Sequence, residues 1–500
     1  MFATRWSRLL QLFRRPAGFM GLGLLLALVF GLSWQPAAMA IMPRHYEELE
    51  FPALRDIQIP EFERYELTNG LVVYLMEDHE LPLISGSATF KTGDRLVPGS
   101  QTGLGEVTGD AMRLGGTDSY DADTLNLLLE QRAAAVETAI DENSGSASFN
   151  ALSEDLNEVF GLFADVIRNP AFAPDRLEFV KSQYRGSIDR RNDDPDDIAS
   201  REFRKLVYGS DSPYARTIEY ATLDAISRDD IIDFYQASVR PDQTILGIVG
   251  DFDPAEMKAL IAQAFRDWMA PAGPSPLPPI PSAEQANSGV FLVDLPQLTQ
   301  SYVQIGHLGG QLSSPDHPAL SVLNEVLNGF GGRLFNEVRS RQGLAYVVYS
   351  FWAARYDYPG TWIGGGQTQS ATTVPFIQSV QRELEAIRTT AISEAELQQA
   401  KDAVLNSFVF NFQNPSQTLS RLIRYEYYDY PEDFIFQFRQ AVSETTPGDI
   451  LSAAQTHLRP EDWVVLVVGN SEDINPPLST LTPDATVTPL DVSIPSPAEA

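Results

Sequence analysis

Two carboxylates, Glu106 and Asp110, stand four residues apart in the segment Leu104-Gly105-Glu106-Val107-Thr108-Gly109-Asp110. On a helix that spacing puts both on one face, where they can hold a hard cation such as calcium or magnesium loosely. In a chain this acidic, a solvated acidic face is the commoner meaning, and no metal ligand is assigned. Gly109, between them, has no side chain to take a proton, so water activation lacks a base there. The five histidines, His45, His79, His307, His317 and His457, never fall within five residues of one another. No helix can therefore offer two of them to a zinc ion. Farther along, Arg339 and Tyr346, seven residues apart, carry a guanidinium and a phenol, both hydrogen-bond donors. By residue type alone they are a surface arginine and a half-buried strand residue. Arg341 differs from Arg339 only in its spacing from Tyr346. With no cysteine in the chain, thiolate chemistry and disulfides are excluded.

The elements that must position these groups follow from periodicity. Leu156, Val159, Phe160, Phe163 and Ile167 recur at helical spacing, with Ser153 as the expected N-cap and Asn169-Pro170 as the stop. Ser393 and Glu396 form a capping box ahead of Leu397, Ala400, Val404 and Phe408. Leu71-Val72-Val73-Tyr74-Leu75 reads as a strand. A repeat is visible directly: Arg240-Pro241-Asp242 followed by Ile245–Gly250 matches Arg459-Pro460-Glu461 followed by Val464–Gly469, offset by 219 residues at both the Arg and the Gly. Between the two blocks, six prolines from Pro271 to Pro281 rule out a helix or a central strand. These signals predict an α+β class with two homologous α+β lobes, residues 55–270 and 289–475, joined by a Pro-rich linker over 271–288 and followed by a disordered tail over 476–500.

The charge balance, 36 basic against 67 acidic residues, argues against nucleic acid or an anionic membrane as the main partner. Basic peptides or proteins suit it better. At the N-terminus, Arg5, Arg8, Arg14 and Arg15 precede an apolar run from Ala17 to Ser33 and the triplet Ala38-Met39-Ala40. This pattern predicts a signal peptide over 1–40, hence export to a periplasmic or luminal compartment, with no stable membrane span after cleavage.

The run from Thr92-Gly93-Asp94-Arg95 through Gly103-Leu104-Gly105 to Gly115-Gly116-Thr117 resembles the opening of the insulinase/pitrilysin family of zinc peptidases. The resemblance covers roughly Phe62 to Gly469. It implies the processing-peptidase-like, two-lobed clamshell and places the family's His-x-x-Glu-His positions on Glu106, Gly109 and Asp110, with the distal glutamate at or next to Ser187. All are changed, so the resemblance implies a subunit type without its own zinc. In the second half, Gly331-Gly332-Arg333 through Arg339 to Gly343-Leu344-Ala345-Tyr346 resembles the family's C-terminal element, which implies substrate binding by Arg339 and Tyr346. The segment Asn143–Asn150 falls where the family presents a sheet edge to an extended peptide. The reading is a non-catalytic, substrate-binding subunit that cleaves peptides only with a zinc-bearing homologous sister chain, zinc residing on that partner. The alternative is a peptide-binding or scaffold pseudo-peptidase with no proteolytic role.

Overall fold

The protein, analysed as a computed structural model, is described over residues 59–270, 273, 277–329, 331–481 and 486–495. The expected signal peptide and His45 lie outside the described residues. One sheet is built from β1 Glu63–Glu66, β2 Val72–Glu77, β3 Leu83–Phe90, β4 Ala135–Ile140, β5 Gly145–Leu152 and β6 Thr244–Gly250, in the order β1-β2-β6-β3-β5-β4. The other comprises β7 Gly289–Asp294, β8 Gln300–Leu308, β9 Ala345–Ala353, β10 Thr361–Gln369, β11 Val464–Gly469 and β12 Val487–Pro489, in the order β12-β7-β11-β8-β10-β9. Five strands of each sheet agree in order and direction: β2 lies parallel to β6 as β7 does to β11, and the remaining three are antiparallel. The repeated apolar runs become β6 and β11, buried at every position. That double-sided burial explains why they read as continuous apolar runs rather than alternating ones. The fold is α+β with two sheet-containing lobes.

Alternation in β3 and β5 sends Ile84, Ala88, Phe90, Ala147 and Phe149 into the first core, beneath the helices Leu104–Leu114 and Leu156–Arg168. Phe149 lies 4.9 Å from Phe163 between ring centres. It also lies directly under Gly86, where an added Cβ would approach its ring to 2.1 Å. The capping box at Ser393 forms as expected and opens the Glu394–Ser407 helix. Ser153 does not cap its helix. It lies in a 3-10 turn, Ser153–Asp155, and its hydroxyl bonds Asp251 Oδ2 at 3.2 Å, because the chain turns one residue triplet earlier than periodicity alone indicates.

The lobes interlock by exchanging helices. Pro195–Tyr208, from the first, buries Ile198, Phe203 and Val207 against Phe291, Val293, Val464, Leu466 and Val468 of the second sheet. Pro415–Tyr427, from the second, buries Leu419, Leu422 and Ile423 against Tyr74, Met76, Ile245 and Val249 of the first. Gly247 makes room for it, since a Cβ there would come within 2.3 Å of Ile423 Cδ1. Each helix covers only part of a sheet face, which leaves β3 and β5 in one lobe and β9 and β10 in the other to line the space between.

The expectation of a disordered tail is corrected over its described residues, 476–481 and 486–495. Leu478 is buried in a 3-10 turn, and β12 adds parallel to β7, with Leu490 N donating to Leu292 O at 2.8 Å. Leu490 and Val492 pack on the cluster around the Pro195–Tyr208 helix, and Asn192 Nδ2 bonds Val492 O at 2.6 Å. The Pro/Ser/Thr composition hid a strand because a single apolar face on a short edge strand needs few apolar residues, and Pro489 is tolerated at an edge.

Candidate functional site

The Leu104–Leu114 helix is started by a residue outside it. Gly103, its N-cap, has a left-handed φ of 98° and no side chain, and the buried Asp94 carboxylate accepts the N–H groups of Gly103 at 3.0 Å and Gly105 at 2.9 Å. This satisfies donors that a helix start leaves open. Gly105 must stay small, since a Cβ would lie 3.2 Å from Asp94. The Thr92–Arg95 turn and the Gly-Leu-Gly run are thus one structural unit that aims Glu106 and Asp110.

Where the helix delivers those carboxylates, their neighbours are other acids. Burial, reinforced by Asp94, Asp110, Asp141 and Glu142, pushes the Glu106 carboxyl up to about 7. Burial also raises Asp110, against a hydrogen bond from Tyr184 Oη to Asp110 Oδ2 at 2.9 Å. Tyr184, one helical turn from Ser187 on the Pro174–Arg190 helix, is the residue that meets this face. Ser187 is exposed and bonds its own helix at Gln183 O. Gly109 abuts β4: a Cβ at 109 would lie 2.2 Å from Ile140 N, and its carbonyl accepts Thr138 Oγ1 at 2.6 Å. No side chain fits at the position where a water-activating base would stand. Among the described residues no group of three His, Cys, Asp or Glu side chains is placed to hold a metal. This arrangement does not fit zinc: it offers two carboxylates raised toward their neutral forms, a phenol already bonded, and no imidazole.

The described histidines are engaged elsewhere. Burial lowers His307 to about 4, and its Nε2 accepts Arg459 N at 3.0 Å. His317 is likewise lowered to about 4 by burial and stacks on Phe438 at 4.8 Å. His457 pairs with Asp316 at 2.8 Å, and His79 with Asp251 at 2.7 Å.

In the second lobe, Arg339 and Tyr346 do come together. Arg339 sits in the π-helical turn Phe335–Arg341, a wide turn that is rare and often found at functional sites. Its guanidinium lies 4.8 Å from the Phe335 ring centre and 5.3 Å from that of Tyr346. Such cation–π contacts hold it in place without neutralising it. Arg341, by contrast, is ion-paired with Glu337 at 2.8 Å. Geometry therefore separates the two arginines where spacing alone does not. Tyr346 is 76% exposed, not half-buried, because β9 is the edge strand of its sheet and starts with its side chain off the core.

The expectation of a sheet edge at Asn143–Asn150 is corrected. β5 is paired on both sides, with β3 and β4, so β4 is the edge. Along β4, Arg113 Nε bonds Val136 O at 2.8 Å, and the glycine face of the Leu104–Leu114 helix lies against Ile140. On β9, Asn324 and Asn328 of the His317–Asn328 helix take the place of a neighbouring strand: each amide bonds both the N–H and the C=O of one residue, Trp352 and Ser350 respectively, at 2.6–3.2 Å. The alternation that turns these groups outward also turns those of Val348 outward, beside Tyr346 and beyond the reach of the asparagines.

Polar contacts join the lobes at the turn between β9 and β10 and at Tyr427. Arg95, 2% exposed at its side chain, makes a bidentate pair with Asp357, at 2.9 and 2.6 Å. Tyr358 Oη donates to Glu142 at 2.9 Å, and Tyr427 Oη donates to Asn143 O at 2.7 Å. No hydrogen bond or ion pair joins Arg339 or Tyr346 to Glu106 or Asp110 among the described residues. Sequence reasoning gave no role to Asp94, Tyr184 or Phe335, although Asp94 stands in the Thr92–Arg95 run and Tyr184 lies one helical turn from Ser187.

Comparison with known proteins agrees with this geometry. Residues 90–218 match the model of the insulinase family (peptidase family M16), and residues 225–404 that of the peptidase M16 inactive domain. An uncharacterized zinc protease of Mycobacterium leprae is 28% identical over 286 residues, 55% of this chain and 62% of that protein, so the match spans about six-tenths of this relative's length. A non-peptidase homolog, YmxG of Helicobacter pylori, is 21% identical over 79% of this chain and 91% of its own. Among solved structures, the peptidase M16 inactive domain from Pseudomonas fluorescens has a TM-score of 0.73 at 23% identity, covering 82% of this chain and 98% of that one. The periplasmic protease PqqL of Escherichia coli has a TM-score of 0.70 at 16% identity, covering 91% of this chain and 51% of that one. With both family models matched across two halves built on one sheet plan, this chain belongs to the insulinase family, peptidase family M16.

Proposed function

We propose that this chain is a pseudo-peptidase of the insulinase family that binds extended peptide and supplies Arg339 and Tyr346 to a homologous, zinc-bearing sister chain. The observation that carries the reading is an asymmetry between the lobes. The first has lost both the ligand types and the space for a base, whereas the second keeps an exposed guanidinium, held between two rings and without an acidic partner among the described residues. Arg339 and the Tyr346 hydroxyl can donate to a peptide carbonyl or to the oxyanion formed from it. The main-chain groups of Val348 offer an adjoining place for an extended strand to pair, with Asn328 as a stop. Zinc and the water it activates belong to the partner, and this chain's part is to bind and orient. Residues 1–40 act as a signal peptide in this reading, delivering the lobes of 55–270 and 289–475 to a periplasmic or luminal compartment. Among the described residues no helix is long and apolar enough to cross a membrane.

A second reading, a peptide-binding scaffold with no proteolytic role, is supported by relatives named as a non-peptidase homolog and as a probable inactive metalloprotease, YmfF of Bacillus subtilis. Peptidase assays on mixed peptides, with the chain alone and with a zinc-motif sister, separate the two. Activity that appears on mixing and falls in Arg339→Ala supports the split site, and unchanged activity of the sister supports the scaffold.

A further inference from the structure

The half of the first sheet that the Pro415–Tyr427 helix leaves uncovered is lined by small hydroxyl side chains. Alternation in β3 and β5 turns Ser87, Thr89 and Ser146 away from the core. With Ser144, and with Ser420 and Arg424 from the covering helix, they enclose a cavity of about 220 Å³. Three features distinguish it from an ordinary solvated crevice. None of these five hydroxyls has a protein hydrogen-bond partner among the described residues, although Ser85, one step along the same face, bonds Asn150 at 2.6 Å. Arg424 has no carboxylate partner among the described residues, in a chain where acids outnumber bases by 67 to 36. Its guanidinium carbon lies 6.0 Å from the centre of the Tyr356 ring. One wall is also held in place, since Tyr427 is tied to Asn143 O at 2.7 Å.

We propose that this inter-lobe cavity is a carboxylate-binding site, in which Arg424 takes the charge and the surrounding hydroxyls fill the remaining acceptor positions. A planar guanidinium matches a carboxylate in bidentate fashion, and hydroxyl groups donate wherever the acceptor lies. A single cation selects a singly charged group. At roughly 30 Å³ per water, the space holds about seven waters, enough for a carboxylate and the few atoms that carry it but not for a folded segment. The ligand is therefore a small free acid or the C-terminal carboxylate of a peptide. This site is separate from Arg339 and Tyr346 and does not rest on a zinc-bearing partner.

Isothermal titration calorimetry on the chain from Ile41 onward tests it with three probes: acetyl-trialanine as the free acid, the same peptide C-terminally amidated, and propionate. The free acid is expected to bind, and amidation to weaken it by about tenfold or more. Arg424→Ala should weaken acid binding roughly 10- to 100-fold, Arg424→Lys less, and Ser146→Ala a few-fold, while Arg341→Ala leaves it unchanged. Propionate binding as tightly as the peptide acid would assign the site to free small acids, and tighter peptide binding to chain termini. Equal binding of acid and amide, or binding indifferent to Arg424→Ala in a folded variant, overturns the proposal. Thr89→Val serves as the second variant if the arginine change disturbs folding.

Discussion

The Glu106 carboxyl, buried among Asp94, Asp110, Asp141 and Glu142, titrates near 7 in place of its ordinary 4.5. Folding raises the pKa of this acid, so between those values the folded protein holds a proton that the unfolded chain has released. Stability from this residue is greatest below 4.5, falls as pH rises to about 7, and stays reduced above. Glu106→Gln removes the penalty: it should raise unfolding free energy at pH 8 by about 2–3 kcal/mol and change it little at pH 4.5, read from urea denaturation at both. Gly109 makes the complementary case, since its neighbour Ile140 leaves no room for a Cβ. Gly109→Ala is expected to cost about 1–3 kcal/mol, and restoring a glutamate there should destabilise the protein without creating a base. A Gly109→Ala protein as stable as the parent would show that the helix moves freely off β4.

At the scale of elements, the proposed function makes one binding surface of the π-helical turn and the edge strand β9. Arg339→Ala should weaken binding of an extended peptide about tenfold, and Arg341→Ala hardly at all, because Glu337 already holds Arg341. Fluorescence anisotropy with a labelled unfolded peptide distinguishes them. Asn324 and Asn328 close the rest of the strand, and replacing both by alanine should cost about 2–3 kcal/mol and promote self-association, measurable by light scattering. Much of this was legible in the sequence. The repeat at 240–250 and 459–469 foreshadows the matching central strands of the two sheets, and the Gly-rich run that ends at Tyr346 marks the segment in which Arg339 and Tyr346 meet. What remained hidden depends on contacts between residues far apart in the chain. The strand order that makes β4 rather than β5 the edge cannot be read from a run of small polar residues. The start of the Leu104–Leu114 helix depends on Asp94, which no local capping pattern reveals, and the short strand β12 depends on an open edge of β7 that exists only once the sheet has formed.

For the whole molecule, the exchanged helices and the Arg95–Asp357 pair make the two lobes one folding unit. Asp357→Ala leaves a buried guanidinium unpaired and should destabilise both lobes together by about 3–5 kcal/mol, seen as one cooperative transition shifted to lower urea. Two separate transitions would mean that the lobes are stable independently. The same interlock fixes how the Leu104–Leu114 helix of the first lobe sits relative to the Arg339–Tyr346 pair of the second, which the proposed split site requires. The most direct test is peptidase activity on a mixture of unfolded peptides in the presence of zinc, using the chain alone, then with a zinc-motif sister chain, and with Arg339→Ala and Tyr346→Phe variants of each mixture. The account predicts no cleavage by the chain alone, cleavage on mixing, and a loss of about tenfold or more in kcat/KM with Arg339→Ala. Zinc-dependent cleavage by this chain alone would contradict it.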